Sequence, residues 1–237
     1  MRIIPALKYY AKHWLKGIAG FFPISILVCL WMMFGVRNLF GGGFSGDFSV
    51  HGWDMITMVF VFVTCLNAFK EQFLLFNQNG IGRNSQYLAF AVSLIAFSVI
   101  IAAIDILLQA GLRSISPYTS VFEQIFKAGL SGTADSGISL MLTQFLWEFS
   151  IFFMVGAIGY TLTSFMYRLN KWGKIAFWLG VVFVLNLWPR LFGVTFKFGT
   201  PGLAGYICAA ILVGAGFLAL AYAVTWRIPV KRESAVG

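Results

Sequence analysis

Two acidic residues stand within long apolar stretches of this chain, and they are its best candidates for chemistry. Glu148 lies near the middle of one stretch and follows Gln144 by four residues, which places both side chains on one face of a helix. Asp105 lies toward the end of another stretch, close enough to its border to be solvated. A charge at the centre of a bilayer costs about 2.5–3.5 kcal/mol on insertion scales. Glu148 should therefore face the interior of a helix bundle, a water-filled cavity or a partner.

Two interpretations of Glu148 stay open. The first is a functional group on a transport path. The second is a protonated or hydrogen-bonded packing residue, with Gln144, Asn67 or Asn186 as its partner. The candidate path residues are accordingly Glu148, Gln144, Asp105, Asn67 and Asn186.

Other active-site chemistries lack their residues in this sequence. The glycine-rich segment Gly129–Gly137 lacks the lysine of a phosphate-binding loop, and the Gly173–Lys174 pair lacks the following Ser or Thr. His13 and His51 are the only histidines, and both stand near predicted membrane borders, where they suit neither a metal site nor an intramembrane protease. We therefore expect no catalytic residue, no metal site and no cofactor bound by this chain.

The composition is that of a multi-pass membrane protein. Hydrophobic residues make up 59% of the chain and charged residues 11%. Apolar runs of about twenty residues recur, which is the length that a helix needs to cross hydrocarbon. Their continuity favours helices over the alternating strands of a β-barrel. We predict an all-α polytopic membrane protein in which residues 1–237 form a single transmembrane domain. The six predicted spans are Gly17–Val36, Trp53–Phe69, Gln86–Gln109, Ile138–Thr161, Gly173–Trp188 and Gly202–Thr225.

The distribution of lysine and arginine predicts the orientation. With the N-terminus inside, most of the 17 basic residues fall on inner segments. Both termini, including the tail 226–237, are then cytoplasmic, and the protein lies in the cell (plasma) membrane. Topology and attraction to anionic lipids account for the net charge of +9, so nucleic acid is not an expected partner. The basic residues left outside are Arg37, Arg113, Lys127, Arg190 and Lys197.

Residues 1–16 have the pattern of a membrane-surface helix. Lys8 and Lys12 share one helical face, whereas Leu7 and Trp14 share another. We predict an interfacial helix that lies along the inner leaflet before the chain turns into the first span. The alternative is a basic flank without a stable helix.

Two further patterns concern local structure. Residues 121–130 carry apolar side chains at helical spacing, which predicts a short external helix. Gly156 and Gly159, and Ala210 with Gly214, would let neighbouring helices approach closely.

The segment 70–83, KEQFLLFNQNGIGR, is polar and amphipathic, yet it lies between two long apolar runs. It follows the second span almost without a break. The Asn79–Gly80 pair is predicted to end its helix, because glycine readily adopts the left-handed conformation found just after helices. Arg83 then marks the inner border of the third span.

The side chains of this segment divide into two sets. Phe73 and Phe76 can bury against the bundle, whereas Gln72, Asn77 and Gln78 are expected to remain available to a partner. This division predicts a docking element on the cytoplasmic side rather than a simple loop.

The order of these elements resembles that of permease subunits in the ABC-2-type exporter superfamily, particularly small Gram-positive permeases with segments similar to FNQNGIGR. The resemblance covers the six-span plan, and its specific part is Phe69–Arg83 together with the N-terminal helix. It implies that the inner segment is a coupling helix, inserted into a cleft of a separate ATPase subunit that binds ATP and Mg. It also implies a second permease, either the same chain or a different one. The residues that the resemblance assigns to ATPase coupling are Gln72, Phe73, Phe76, Asn77, Asn79, Gly80, Ile81 and Arg83.

The expected function is therefore that of an exporter permease for an amphipathic peptide, a drug or a lipid-like substrate, since the spans offer few polar groups. Two alternatives remain. A proton-coupled secondary transporter would use Glu148 or Asp105 as a relay and would need no ATPase. A non-transporting membrane subunit, such as an immunity or interaction protein, would need only the bundle and a binding surface.

Overall fold

Long helices account for nearly all of the structure. The computed structural model describes residues 3–39, 52–115, 118–130, 137–179 and 202–226. The helices are α1 (Ile3–Leu39), α2 (Trp53–Asn67), α3 (Lys70–Gln78), α4 (Arg83–Ile115), α5 (Val121–Leu130), α6 (Gly137–Arg168), α7 (described over 171–179) and α8 (Leu203–Trp226).

Five helical stretches are long and apolar enough to cross a membrane, and apolar side chains dominate their exposed faces. These features agree with the predicted helical protein of multi-pass membrane type. The predicted fifth span, Gly173–Trp188, is helical as far as residue 179, and its remainder lies outside the described residues. The count of six spans therefore stays a prediction. The five stretches are Ile3–Trp31, Trp53–Gln78, Arg83–Ser114, Ser139–Arg168 and Leu203–Trp226.

α1 is one continuous helix where the sequence predicts a surface helix followed by a separate span. Its 37 residues extend roughly 55 Å at about 1.5 Å per residue. Ala6, Tyr10 and Trp14 recur at four-residue spacing and are all buried, whereas the lysines of this stretch are exposed. α1 therefore contacts the bundle through the face that carries these three residues. The apolar face that was expected to lie on lipid, which includes Trp14 and the partly buried Leu7, thus packs against the bundle instead.

α6 is the central helix of the bundle and packs against α2, α4 and α8. The predicted small residues allow this close packing, since Gly156, Gly159, Ala210 and Gly214 are all buried. A Cβ atom added to Gly159 would lie 3.0 Å from the backbone oxygen of Phe62 on α2. One added to Gly214 would lie 2.8 Å from the ring of Phe153 on α6. The close helix approach predicted from these residues is confirmed.

Asp105 and Glu148 lie in the half of the bundle that is remote from the segment 70–83. α3 joins α2 to α4 at one end, while α2 begins, α4 ends and α5 lies at the other. Asp105 and Gln86, both on α4, are separated by roughly 28 Å at about 1.5 Å per residue. A chemical event at one end can therefore reach the other only through the packed helices between them.

Candidate functional sites at the two ends of the bundle

α3 extends α2 with only a slight interruption. Ala68 and Phe69 separate the two helices, and the backbone angles of both stay close to helical values. The amide of Phe73 donates to the carbonyl of Phe69 at 2.9 Å, which carries the helical hydrogen-bond pattern across the junction. The predicted near-continuity of the second span and the docking segment is confirmed.

α3 ends in a Schellman motif. Gly80 has φ of +67°, a left-handed conformation that glycine adopts without steric cost. The amide of Gly80 donates to the carbonyl of Asn77 at 3.2 Å, and that of Ile81 donates to the carbonyl of Phe76 at 2.9 Å. These two bonds define the motif and satisfy carbonyls that the helix end would leave unpaired. The helix end predicted from the Asn-Gly pair is confirmed.

The buried face of α3 is aromatic and contacts helices on both sides. The ring centroid of Phe76 lies 5.5 Å from those of Tyr9 and Tyr10 on α1. The ring of Phe73 lies 5.7 Å from that of Tyr167 on α6. All three pairs are edge-to-face, an arrangement that contributes about 0.5–1.5 kcal/mol per pair beyond area burial. α3 is thus held between α1 and α6.

These contacts continue into the bundle. Phe90 of α4 stacks on Tyr160 of α6 with 3.6 Å between ring centroids, and it also contacts Tyr10 at 5.7 Å. Phe69 contacts Tyr160 at 5.4 Å. Because interiors are close-packed, α3 cannot move without repacking of the long helices that share these rings. We call this set the aromatic anchor: Tyr10, Phe69, Phe73, Phe76, Phe90 and Tyr160.

Polar bonds fix the turn that follows α3. Gln86 donates from Nε2 to the carbonyl of Ile81 at 2.8 Å. Arg83 donates from Nη1 to the carbonyl of Trp226, the last described residue of α8, at 2.8 Å. A cation is favourable at a helix C-terminus, where carbonyls lack partners within the helix. Arg83 therefore ties the α3–α4 turn to the end of α8.

The predicted coupling residues are not all accessible. Gln72 is 2% exposed, so its expected availability to a partner is wrong. It precedes Phe76 by four residues and therefore shares the buried face. Phe73 and Ile81 are buried as well, and Asn77 is partly buried. What remains for a partner is a set that we call the exposed tip, formed by Gln78, Asn79, Gly80, Gly82 and Asn84.

At the opposite end, five side chains form a hydrogen-bonded group that we call the polar cluster: Thr57, Asp105, Gln109, Gln144 and Glu148. Gln109 donates from Nε2 to Asp105 Oδ2 and to Glu148 Oε1, each at 2.8 Å. Gln144 donates from Nε2 to Gln109 Oε1 at 2.5 Å and to Glu148 Oε1 at 2.8 Å. Thr57 donates to Asp105 Oδ1 at 2.6 Å. The cluster joins α2, α4 and α6, and each member is at most 3% exposed.

The structure confirms that Glu148 and Gln144 share a face and bond to one another. It contradicts the expectation that Asp105 is solvated, since this residue is fully buried. Thr57 on α2 and Gln109 on α4 cover its two carboxyl oxygens. The burial of Asp105 thus depends on a neighbouring helix that is remote in the sequence.

Asn67, another proposed partner of Glu148, does not reach it. Asn67 lies at the α3 end of α2, where it is exposed and donates to the carbonyl of Val63 at 3.1 Å. Asn186 lies outside the described residues. Gln109 takes the bridging role instead, and sequence reasoning missed it. The sequence did carry an indication of this role, because Gln109 follows Asp105 by four residues, the same spacing that links Gln144 to Glu148.

Asp54, at the start of α2, positions the segment before α5. Tyr118 donates its hydroxyl hydrogen to Asp54 Oδ1, and the amide of Val121 donates to Asp54 Oδ2 at 2.9 Å. Burial is the main cause that raises the pKa of Tyr118, and the negative charge of Asp54 is the second. The phenol therefore stays protonated at neutral pH and remains a hydrogen-bond donor.

α5 begins with a capping box and packs over this end of the bundle. The hydroxyl of Ser120 accepts from the amide of Glu123 at 3.2 Å, and the carboxylate of Glu123 accepts from the amide of Ser120 at 3.2 Å. Glu123 also pairs with Arg113 of α4 at 2.9 Å. Phe122 is fully buried, and the ring of Phe126 lies 5.1 Å from that of Trp147 on α6. The short helix predicted over 121–130 is confirmed.

No protein-family model, curated protein or solved structure matches this chain. The function of each end must therefore be inferred from the residues themselves.

The two ends can do different things. The α3 end offers a small polar surface that is connected to three long helices, which suits transmission of motion. The cluster end places two carboxyl groups among amides and a hydroxyl, without an ion pair to either acid among the described residues. In the same part of the chain, no group of three or more His, Cys, Asp or Glu side chains could hold a metal ion.

Proposed function

We propose that this chain is the permease subunit of an ABC-2-type exporter, driven by a separate ATPase subunit that binds ATP and Mg. The observation that supports this proposal most strongly is the construction of α3. α3 is a short helix that lies between the apolar helices α2 and α4. Its tip is polar and exposed, and its buried side is aromatic. A loop that only connected two spans would need neither the Schellman motif nor contacts with α1 and α6.

In this proposal the exposed tip contacts the ATPase, and the aromatic anchor transmits the motion. Displacement of α3 would press on Tyr10 of α1 and, through Phe69, on Tyr160 of α6. Tyr160 stacks on Phe90, so α4 would respond as well. Closure of two ATPase subunits would thereby change how the long helices pack around the transport path.

The remaining surface suits membrane partners. The exposed faces of the long helices are apolar and can contact lipid, a second permease of the same or a different chain, or an amphipathic substrate. Lys8, Lys12 and Lys16 are exposed on the first part of α1 and would attract anionic lipids. With α3 on the cytoplasmic side, both termini lie there too, in the plasma membrane.

A pair of matched substitutions tests the role of the exposed tip. Gln78→Glu adds a charge at the tip, whereas Gln124→Glu adds the same charge on α5 at the opposite end, and both glutamines are exposed. The tagged protein is purified from its native membrane in mild detergent, and its ATPase content and hydrolysis rate are measured. We expect Gln78→Glu to lose ATPase association while membrane insertion stays intact. Equal retention of the ATPase by both variants would contradict the proposal.

The polar cluster supports a second candidate, a proton-coupled secondary transporter with Glu148 as the relay. The specific observation is that this carboxyl group is 2% exposed and its Oε2 lacks a hydrogen-bond partner among the described residues. Glu148→Gln separates the two candidates. In a proton-coupled carrier this substitution abolishes transport, whereas in an ATP-driven exporter ATPase activity and its response to the permease persist.

A further inference from the structure

The polar cluster contains more hydrogen-bond acceptors than donors. Both amide hydrogens of Gln109 are used, on Asp105 and Glu148, and both of Gln144 are used, on Gln109 and Glu148. The hydroxyl hydrogen of Thr57 is used on Asp105. Every side-chain donor of the cluster is therefore committed, yet Glu148 Oε2 remains buried without a partner in the described structure.

Neither protonation state of Glu148 resolves this imbalance from within the cluster. As a carboxylate, Oε2 is a buried anionic oxygen without a donor. As a carboxylic acid protonated on Oε2, the group has a buried O–H without an acceptor. A buried polar atom left unpaired costs about 1–3 kcal/mol, and more when it is charged. A group outside the cluster that pairs with this atom would remove that cost.

Among the described side chains, no basic group supplies the missing charge. The cluster holds Asp105 and Glu148 but no Lys, Arg or His. Arg113 follows Gln109 by four residues on α4, but it is paired with Glu123 at 2.9 Å, and its side chain is 35% exposed. Two acids thus lie in a buried site whose remaining members are neutral.

We propose that the polar cluster binds one desolvated monovalent cation, with Glu148 Oε2 as its anchoring ligand. Carboxylate, amide and hydroxyl oxygens are the ligands that hard cations prefer. Because no group of three or more His, Cys, Asp or Glu side chains among the described residues could hold a metal ion, this site with two acids is better matched to a single charge than to a divalent ion. An alkali-metal ion and a small protonated amine share this chemistry. The proposal does not depend on the presence of an ATPase partner.

The test uses the purified full-length chain in detergent, together with any partner that copurifies. Its unfolding temperature is measured in NaCl, KCl, methylammonium chloride and N-methyl-D-glucamine chloride at constant ionic strength and neutral pH. A ligand that binds only the folded state raises stability in a saturable way. We expect at least one of the first three salts to give a saturable rise that the bulky glucamine salt does not give. The responding salt distinguishes an inorganic ion from an amine.

Matched variants connect the effect to this site. Glu148→Gln preserves the shape of the side chain but removes its charge, and it should weaken the cation dependence at least tenfold. Glu123→Gln removes an acid at the same end of the bundle, outside the cluster, and should retain the dependence. If Glu148→Gln does not fold, Asp105→Asn serves as the second variant, with the same expected loss.

Equilibrium binding of ²²Na⁺ or ⁸⁶Rb⁺ is measured for the wild-type chain and for the variants Glu148→Gln and Glu123→Gln. It gives the number of inorganic ions bound per chain. For an amine, the same measurement uses ¹⁴C-methylammonium. One ion per chain that depends on Glu148 is the expected result. Absence of saturable binding of every cation would show that no cation satisfies Glu148, and it would overturn the proposal. Binding that persists unchanged in Glu148→Gln would overturn it too.

Discussion

The contact between α6 and α8 predicts opposite outcomes for two glycines on one helix. A Cβ atom on Gly214 would lie 2.8 Å from two ring atoms of Phe153 and 3.1 Å from Cα of Met154. A Cβ atom on Gly216 would meet nothing within 4 Å. Both residues lie inside α8, so the two substitutions to alanine differ mainly in what the added methyl group contacts.

The magnitudes follow from two competing effects. Replacing glycine by alanine within a helix gains up to about 1 kcal/mol in helix propensity. Forcing an extra methyl group into a packed contact costs about 1–3 kcal/mol. We expect Gly216→Ala to be neutral or slightly stabilising. Gly214→Ala should be destabilising, because the backbone of Met154 cannot move aside as a flexible side chain would.

The assay is reversible unfolding in mixed micelles, with the SDS mole fraction as the denaturing variable and tryptophan fluorescence as the signal. The two variants should differ by roughly 1–3 kcal/mol in the free energy of unfolding, with Gly214→Ala the less stable. If both variants unfold at the same SDS fraction, or if Gly216→Ala is the less stable, the described α6–α8 packing is refuted.

Three further predictions concern the two ends. Gly80→Ala should destabilise the protein by about 1 kcal/mol, because alanine at a positive φ is strained, whereas Gly82→Ala should have little effect; the same SDS titration measures both. Tyr118→Phe removes a hydrogen bond to Asp54 and should cost about 1.5–3 kcal/mol, with faster proteolysis near α5, while Tyr206→Phe serves as a control. Because the pKa of Tyr118 is raised in the folded state, its contribution to stability is present below pH ~10, the ordinary pKa of tyrosine, and is lost as the pH rises further. Wild type should therefore lose more stability above this pH than Tyr118→Phe does.

Features set by local sequence were predictable. Apolar runs of about twenty residues indicated the membrane class, because length and hydrophobicity alone decide whether a helix can span a bilayer. The Asn-Gly pair indicated the end of α3, since that geometry depends on a few adjacent residues. The shared face of Gln144 and Glu148 followed from helical spacing.

Features set by distant contacts were not predictable in the same way. The burial of Asp105 depends on Thr57, which is 48 residues away in the sequence. The burial of Gln72 depends on where the aromatic face of α3 finds its neighbours on α1 and α6. The pattern of α1 fits both a surface helix and a helix packed on a bundle, because its lysines are exposed in either case.

Photocrosslinking from the exposed tip tests the proposed function most directly. A photoreactive benzoylphenylalanine replaces Gln78 in one variant and Gln124, at the opposite end, in the other, and each is irradiated in native membranes. The account predicts that Gln78, but not Gln124, captures a protein with ATP-hydrolysing activity. If the Gln78 variant captures no ATPase, or if both positions capture the same one, the assignment of α3 as the coupling helix of an exporter permease is contradicted.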